Sequence, residues 1–174
     1  MALLYAKDNS ILTEPSSASP QLSSTRALDA RPSLNATTEK WFEYVVHVQP
    51  HHTDYSGQVW HGTYLAWMEE ARVEYFRSLG INFADLVKMG CDLPVVELSL
   101  RYHRAFSLGE TAIVKTRMHE IAGVRINWDY LMTSTDKLDP YVSGQVTLVA
   151  IDRDKGKILR QLPPAVKEIL LKAH

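Results

Sequence analysis

The stretch Thr63 to Leu79 constrains this chain more than any other. Tyr64, Leu65, Met68, Ala71, Tyr75, Phe76 and Leu79 recur at helical spacings, Trp67 stands beside the stripe, and Gly80 follows as a C-terminal stop. A helix this greasy over so much of its circumference must be covered on several sides, most simply by a strongly curved antiparallel sheet wrapped around it. The rest of the sequence supplies such a sheet. Trp41 to Gln49 (WFEYVVHVQ) is aromatic and β-branched, and Pro50 ends it. After a short helix around Phe83 to Lys88, four β-rich segments follow: Leu93 to Arg104, Thr111 to Glu120, Val124 to Thr135 and Tyr141 to Asp152. Their breaks fall at Ser107-Leu108-Gly109, Ala122-Gly123 and Asp136 to Pro140, short enough for antiparallel neighbours. Pro163 and Pro164 open a last helix running to His174. One helix early and strands after it give an α+β domain rather than alternating βαβ units. The open edge of such a sheet is commonly covered by a second copy, so a homodimer is expected.

With 174 residues, 45% hydrophobic and 22% charged, the chain can bury one core. That core belongs to residues 41–174. Residues 1–40, rich in Ser, Thr, Pro and Ala and without a sustained period, are expected to be a disordered tail, because burial there cannot offset the entropy of ordering. A formal net charge of −1 gives no overall basic field for nucleic acid or anionic membranes. No apolar run approaches the roughly 20 residues that span a bilayer, and membrane insertion is not expected. The single cysteine, Cys91, fits a reducing compartment as a small buried hydrophobe. A cytoplasmic location is expected, or the plastid stroma if the Ser-rich tail is a transit peptide.

Just ahead of the long helix, HHTDYSGQVWHG gathers two adjacent histidines, Asp54, Gly57 and His61. The first-turn amides of a helix have no partners within it and carry its positive dipole end, so an oxygen anion is stabilised there. A carboxylate on the preceding loop, facing the same spot, would complete a base or nucleophile beside an oxyanion hole, the parts needed to hydrolyse an activated acyl group. Structural readings stand beside this one: Asp54 as a turn or capping residue, His61 as a satisfied histidine, and Trp60, Tyr64 and Trp67 as packing. A metal site built from His51, His52, Asp54 and His61 is disfavoured, since there is neither an HExxH pair nor a Cys/His cluster. No cofactor is expected.

The run DYSGQVWHGTYLAWMEEAR, Asp54 to Arg72, resembles the signature of the 4-hydroxybenzoyl-CoA thioesterase family of hotdog-fold proteins, D-x-x-G-x-V-[YW]-[HFY]-x-x-Y followed by E-x-A-R. Asp54, Gly57, Val59, Trp60, His61 and Tyr64 answer in order, then Glu69, Ala71 and Arg72. RYHRAFSLGE, Arg101 to Glu110, is similar to a second family segment, R-Y-x-x-P-x-x-x-G-D, with Ala105 or Phe106 where proline is usual and Glu110 for Asp. The resemblance covers residues 42 to about 160 and implies a hotdog fold, with the sheet wrapped around one central helix. It implies a thioesterase acting on acyl thioesters of coenzyme A or acyl carrier protein, and a homodimer, further paired as a dimer of dimers. Asp54 would then be the catalytic carboxylate, the backbone N–H near His61 would polarise the carbonyl, the His61 side chain would orient water or the acyl group, and Tyr64 would shape the acyl pocket. Glu69 and Arg72 would form a structural ion pair or an interface feature.

A sister branch of hotdog thioesterases has a His-Gly pair at the helix start and its catalytic acid about two turns on, which makes Glu70 the runner-up base. Coenzyme A carries phosphates, for which Arg101, Arg104, Arg117, Arg125 and Lys115 are candidates. Trp60, Tyr64, Trp67 and Met68 would line either a flat aromatic slot or a fatty-acyl tunnel, so a fatty acyl thioester and an aromatic one such as 1,4-dihydroxy-2-naphthoyl-CoA both stay open. The rivals are a hotdog dehydratase, for which the chain lacks a second well-placed His/Asp pair, and a non-catalytic binding module in which Asp54 is only a cap.

Overall fold

In a computed structural model of the chain, residues 40–136 and 139–173 are described. The tail expected over residues 1–40 lies outside them, save Lys40. The elements run β1 (Phe42–His47), a 3-10 turn (Pro50–His52), α1 (Thr63–Ser78), α2 (Phe83–Lys88), β2 (Cys91–Asp92), β3 (Val95–Tyr102), β4 (Thr111–Ala122), β5 (Arg125–Ser134), β6 (Val142–Val149), β7 (Ile151–Asp152), β8 (Lys157–Ile158) and α3 (Pro164–Ala173). A five-stranded antiparallel sheet is ordered β1-β4-β5-β6-β3, and a small second sheet is ordered β2-β7-β8. This is the α+β hotdog arrangement. The small sheet was not anticipated, because two-residue strands leave no periodic signal.

Alternation along the two central strands puts one face of the sheet onto α1. On β4, Ala112, Val114, Thr116 and Met118 are buried; on β5, Ile126, Trp128, Tyr130 and Met132 are. They meet Tyr64, Trp67, Met68, Ala71 and Phe76 of the helix in one cluster. Phe76 sets its ring at 71° to Trp128 with centroids 5.5 Å apart, an edge-on geometry that suits the aromatic quadrupole. The one buried charge on the helix, Arg72, donates from Nη1 to the Tyr130 hydroxyl at 3.0 Å and pairs with Glu69. α3 closes the core with Val166 and Leu170, both fully buried.

One expectation is corrected. The break at Ser107-Leu108-Gly109 does not join neighbours: β3 lies at one edge beside β6, while β4 lies beside β1 near the other edge. Residues 103–110 instead cross the end of the sheet. The crossing is fixed by Phe106, fully buried and stacked on Tyr141 at 4.3 Å, and by Leu108 and Gly109, whose amides donate to the carbonyls of Gly57 and Val48. A buried aromatic anchor outweighs the preference of a short break for a hairpin.

Truncating a fully buried aromatic at the centre of this packing leaves a cavity as well as losing its transfer free energy. Phe76→Ala should lower unfolding stability by about 3–5 kcal/mol in urea denaturation; a loss below about 1 kcal/mol would contradict the helix-centred core.

Candidate functional site

The loop between β1 and α1 is held by its own backbone. After the 3-10 turn, the His52 carbonyl accepts from the Trp60 amide at 3.0 Å and from the Thr63 hydroxyl at 3.1 Å, which ties the loop to the first residue of α1. Thr53 bridges Val59, and Val59, itself buried, donates to the Phe106 carbonyl at 2.8 Å. Between them the chain turns tightly. The Asp54 amide donates to Gln58 at 2.8 Å, and the Gly57 amide donates back to Asp54 at 3.1 Å. Gly57 closes the turn at φ 76°, a conformation most side chains avoid.

Asp54 stands at the tip of this turn. Its Oδ1 accepts from the Ser56 hydroxyl at 2.6 Å, the Ser56 amide at 2.9 Å and the Gln58 amide at 3.3 Å. Donation to the charged form, led by the Ser56 hydroxyl, holds the carboxyl below its ordinary value of 3.8. Within one subunit the side chain is exposed. The capping role considered for Asp54 is thus a turn role, and the carboxylate is bonded to its own loop and not to the helix start.

The helix start is open. Gly62 is its N-cap residue, at φ −73° and ψ −24°, and no side chain caps it; of the first-turn amides, those of Thr63 and Leu65 donate to the carbonyls of Trp60 and Gly62 at 2.9 and 3.1 Å, which leaves that of the buried Tyr64. A Cβ at Gly62 would meet the far end of the half-exposed Trp60 indole, which would have to swing aside. Trp60 also tilts over the His61 ring, with centroids 4.7 Å apart. His61 is exposed, and its carbonyl accepts from the Tyr102 hydroxyl at 3.1 Å.

Other candidates sit elsewhere. Tyr64 is buried, receives the Phe106 amide on its hydroxyl at 3.2 Å and has its own ionisation pushed up by burial. It braces the crossing loop. Glu70 faces β1, where its carboxylate accepts from the Tyr44 hydroxyl at 3.2 Å. His52 packs its ring edge on Trp67 at 5.2 Å, its Nδ1 accepts the Gln49 amide, and burial lowers its pKa. The candidate cations are dispersed. Arg117 binds Asp129 at 2.9 and 3.1 Å and lies 4.5 Å over the Trp41 ring. Lys115 pairs with Glu43 at 2.8 Å, Arg104 lies 4.0 Å from Asp139, Arg101 is exposed on the edge strand β3, and Arg125 is exposed where β5 begins. Among the described residues no group of three or more His, Cys, Asp or Glu side chains gathers to hold a metal ion.

Three features were not read from the sequence. Ser56 is the principal partner of Asp54, and the D-x-S-G spacing of an Asx-type turn was the signal for it. Tyr102 was passed over beside its arginine, although it shares an inward parity with Leu98 and Leu100. The third is a cavity of about 230 Å3 lined by Leu65, Met68, Glu69, Arg72, Val95, Leu98 and Val146. It joins three elements far apart in the chain.

Chemically, an ionised carboxylate on a short, tied-down loop precedes an uncapped helix start. The turn's hydrogen bonds favour the charged form of Asp54, so they stabilise the loop above pH 3.8 and that contribution is lost as pH falls through the lower folded pKa. In a carboxyl NMR titration Asp54 should titrate below 3.8, and Ser56→Ala should move it upward. An unchanged midpoint in that variant would contradict the hydrogen bond's role.

Comparison with known proteins identifies the family. Residues 48–170 match the model of the thioesterase-like superfamily. A Synechocystis sp. protein named "Putative esterase" is 63% identical over 139 residues, 80% of this chain and 84% of its own length. An acyl-CoA thioesterase of Haemophilus influenzae is 30% identical, over 67% of this chain and 85% of that one. The solved DHNA-CoA thioesterase of Staphylococcus aureus superposes with a TM-score of 0.69 at 27% identity, covering 76% of this chain and 89% of that chain. A family match over most of the folded region, on a helix wrapped by a five-stranded sheet, establishes that this chain belongs to the thioesterase-like superfamily.

Proposed function

We propose that the protein hydrolyses acyl thioesters of coenzyme A to the free acid and the thiol, with Asp54 as nucleophile or general base and the first-turn amides of α1 as the oxyanion site. Membership of the thioesterase-like superfamily supports the thioester-hydrolase class. The observation that carries the assignment to Asp54 is the loop: His52 and Thr63 tie it to the uncapped start of α1, and its carboxylate stays ionised. In the nucleophilic form, Asp54 attacks the carbonyl carbon, the C–S bond breaks, the thiolate leaves, and water cleaves the mixed anhydride. In the general-base form, Asp54 takes a proton from the water that attacks. Both forms develop negative charge on the carbonyl oxygen, which amides at a helix N-terminus stabilise. Coenzyme A as carrier follows the Haemophilus relative's name; acyl carrier protein is the alternative carrier.

The exposure of Asp54 within one subunit is answered by a second copy. Among the described residues β3 pairs only with β6, which leaves its other edge unpaired, and Val95, Val96, Leu98 and Tyr102 are 43–50% exposed along it beside the exposed Leu65. A twofold pairing of β3 edges would cover that strip and wall the entrance to the site. Val96→Lys should then convert a dimer to a monomer in sedimentation velocity; a wild type that already sediments as a monomer contradicts the pairing.

Two carboxylates compete for the chemistry, and thiol release separates them. Asp54→Asn should lower kcat by about 100-fold or more, whereas Glu70→Gln, which removes only a partner of Tyr44, should stay within about threefold. The reverse result would exchange the assignments. Binding of acyl-CoA by the wild type without thiol release would make this a binding module.

A further inference from the structure

We infer that the groove between α1 and β3 is the acyl subsite and selects a straight aliphatic chain of medium length over an aromatic acyl group. The inference rests on the thioesterase reading above and assigns the substrate class of that same site. The sequence leaves a flat aromatic slot and an aliphatic tunnel equally open, and the structure separates them.

Of the aromatic residues that would wall a slot, Trp60 is half exposed beside His61, whereas Tyr64 and Trp67 are packed against one another. Tyr64 and Trp67 are both 1% exposed, with ring centroids 5.5 Å apart, and Phe106 fills the third side at 6.3 Å from Tyr64 and 6.2 Å from Trp67. None of them lines the cavity beside the helix. That space, about 230 Å3, is walled by the aliphatic side chains Leu65, Met68, Val95, Leu98 and Val146, with the Glu69–Arg72 pair also lining it.

Position and length agree. Leu65 belongs to the first turn of α1, and Tyr102, on the same inward row of β3 as Leu98, donates to the carbonyl of His61. The groove therefore begins where the uncapped helix begins. From Leu65 to Arg72 the helix rises by about 10 Å, the extended length of roughly eight carbons. Arg72 is already engaged by Glu69 and Tyr130, and it offers no solvent-accessible donor at its Nε to a polar chain end. The unpaired edge of β3 leaves the groove open on one side, where a second copy would roof it.

The test is kcat/KM over butyryl- to palmitoyl-CoA, benzoyl-CoA and 1,4-dihydroxy-2-naphthoyl-CoA, with wild type, Leu98→Trp and Leu98→Ala. The wild type should gain about fourfold per added methylene up to roughly eight carbons, and hydrolyse both aromatic esters at least ~10-fold more slowly than the best aliphatic one. Leu98→Trp should lower the octanoyl-to-butyryl ratio by about 10-fold or more, and Leu98→Ala should raise the dodecanoyl-to-octanoyl ratio. Because each readout is a ratio within one variant, a general loss of activity does not mimic it. Preference for an aromatic ester, or ratios unchanged in both variants, would overturn the subsite while the thioesterase stands. Absence of thiol release from every ester would overturn the thioesterase reading itself, and the subsite with it.

Discussion

Everything in this molecule depends on covering α1. Its buried residues, Tyr64, Trp67, Met68, Ala71, Arg72 and Phe76, occupy too much of its circumference for one flat contact. Each fully buried large apolar side chain contributes about 1.5–3 kcal/mol, and together they fix the helix against the concave face of the sheet. Ala71, fully buried and small, lets that sheet approach. With the helix axis fixed, its N-terminus is fixed too. The first-turn amides, which no side chain caps, are thereby held in one place, and a helix that could slide or fray would not hold them.

The loop that brings the carboxylate is anchored to the same core. Val59 is buried and bonded to Phe106; Phe106 is bonded through its amide to Tyr64; Tyr64 is on the helix. Two hydrogen bonds thus link the turn carrying Asp54 to the element whose first turn it precedes. Inside that turn, Ser56 and Gln58 hold one carboxylate oxygen and keep the group charged without burial. Desolvation opposes this by raising the pKa, and the hydrogen bonds from Ser56 outweigh it.

The helices and long strands were legible because their periods are long and their stops are clear. The helix expected over Thr63 to Leu79 is observed as Thr63–Ser78, and the strand expected over Trp41 to Gln49 as Phe42–His47. The order of strands was not legible, since the buried Phe106 carries the chain across the sheet where a short break pointed to a hairpin. Asp54, Gly57 and His61 were legible as a motif. Their contacts were not: whether a carboxylate caps a helix or its own turn depends on two or three hydrogen bonds that residue spacing does not distinguish. The groove was invisible for a different reason. Leu65, Leu98 and Val146 become neighbours only once β3 pairs with β6 over the helix, and no local pattern encodes that.

The central claim is spatial: one reacting carbonyl lies between the carboxylate at position 54 and the open start of α1. A crystal structure of the Asp54→Asn protein with an intact acyl-CoA tests it most directly. The account predicts the carbonyl oxygen within hydrogen-bonding distance of a first-turn amide of α1, with the carbonyl carbon next to residue 54. A thioester held instead beside Glu70 and Tyr44, away from that turn, would contradict it.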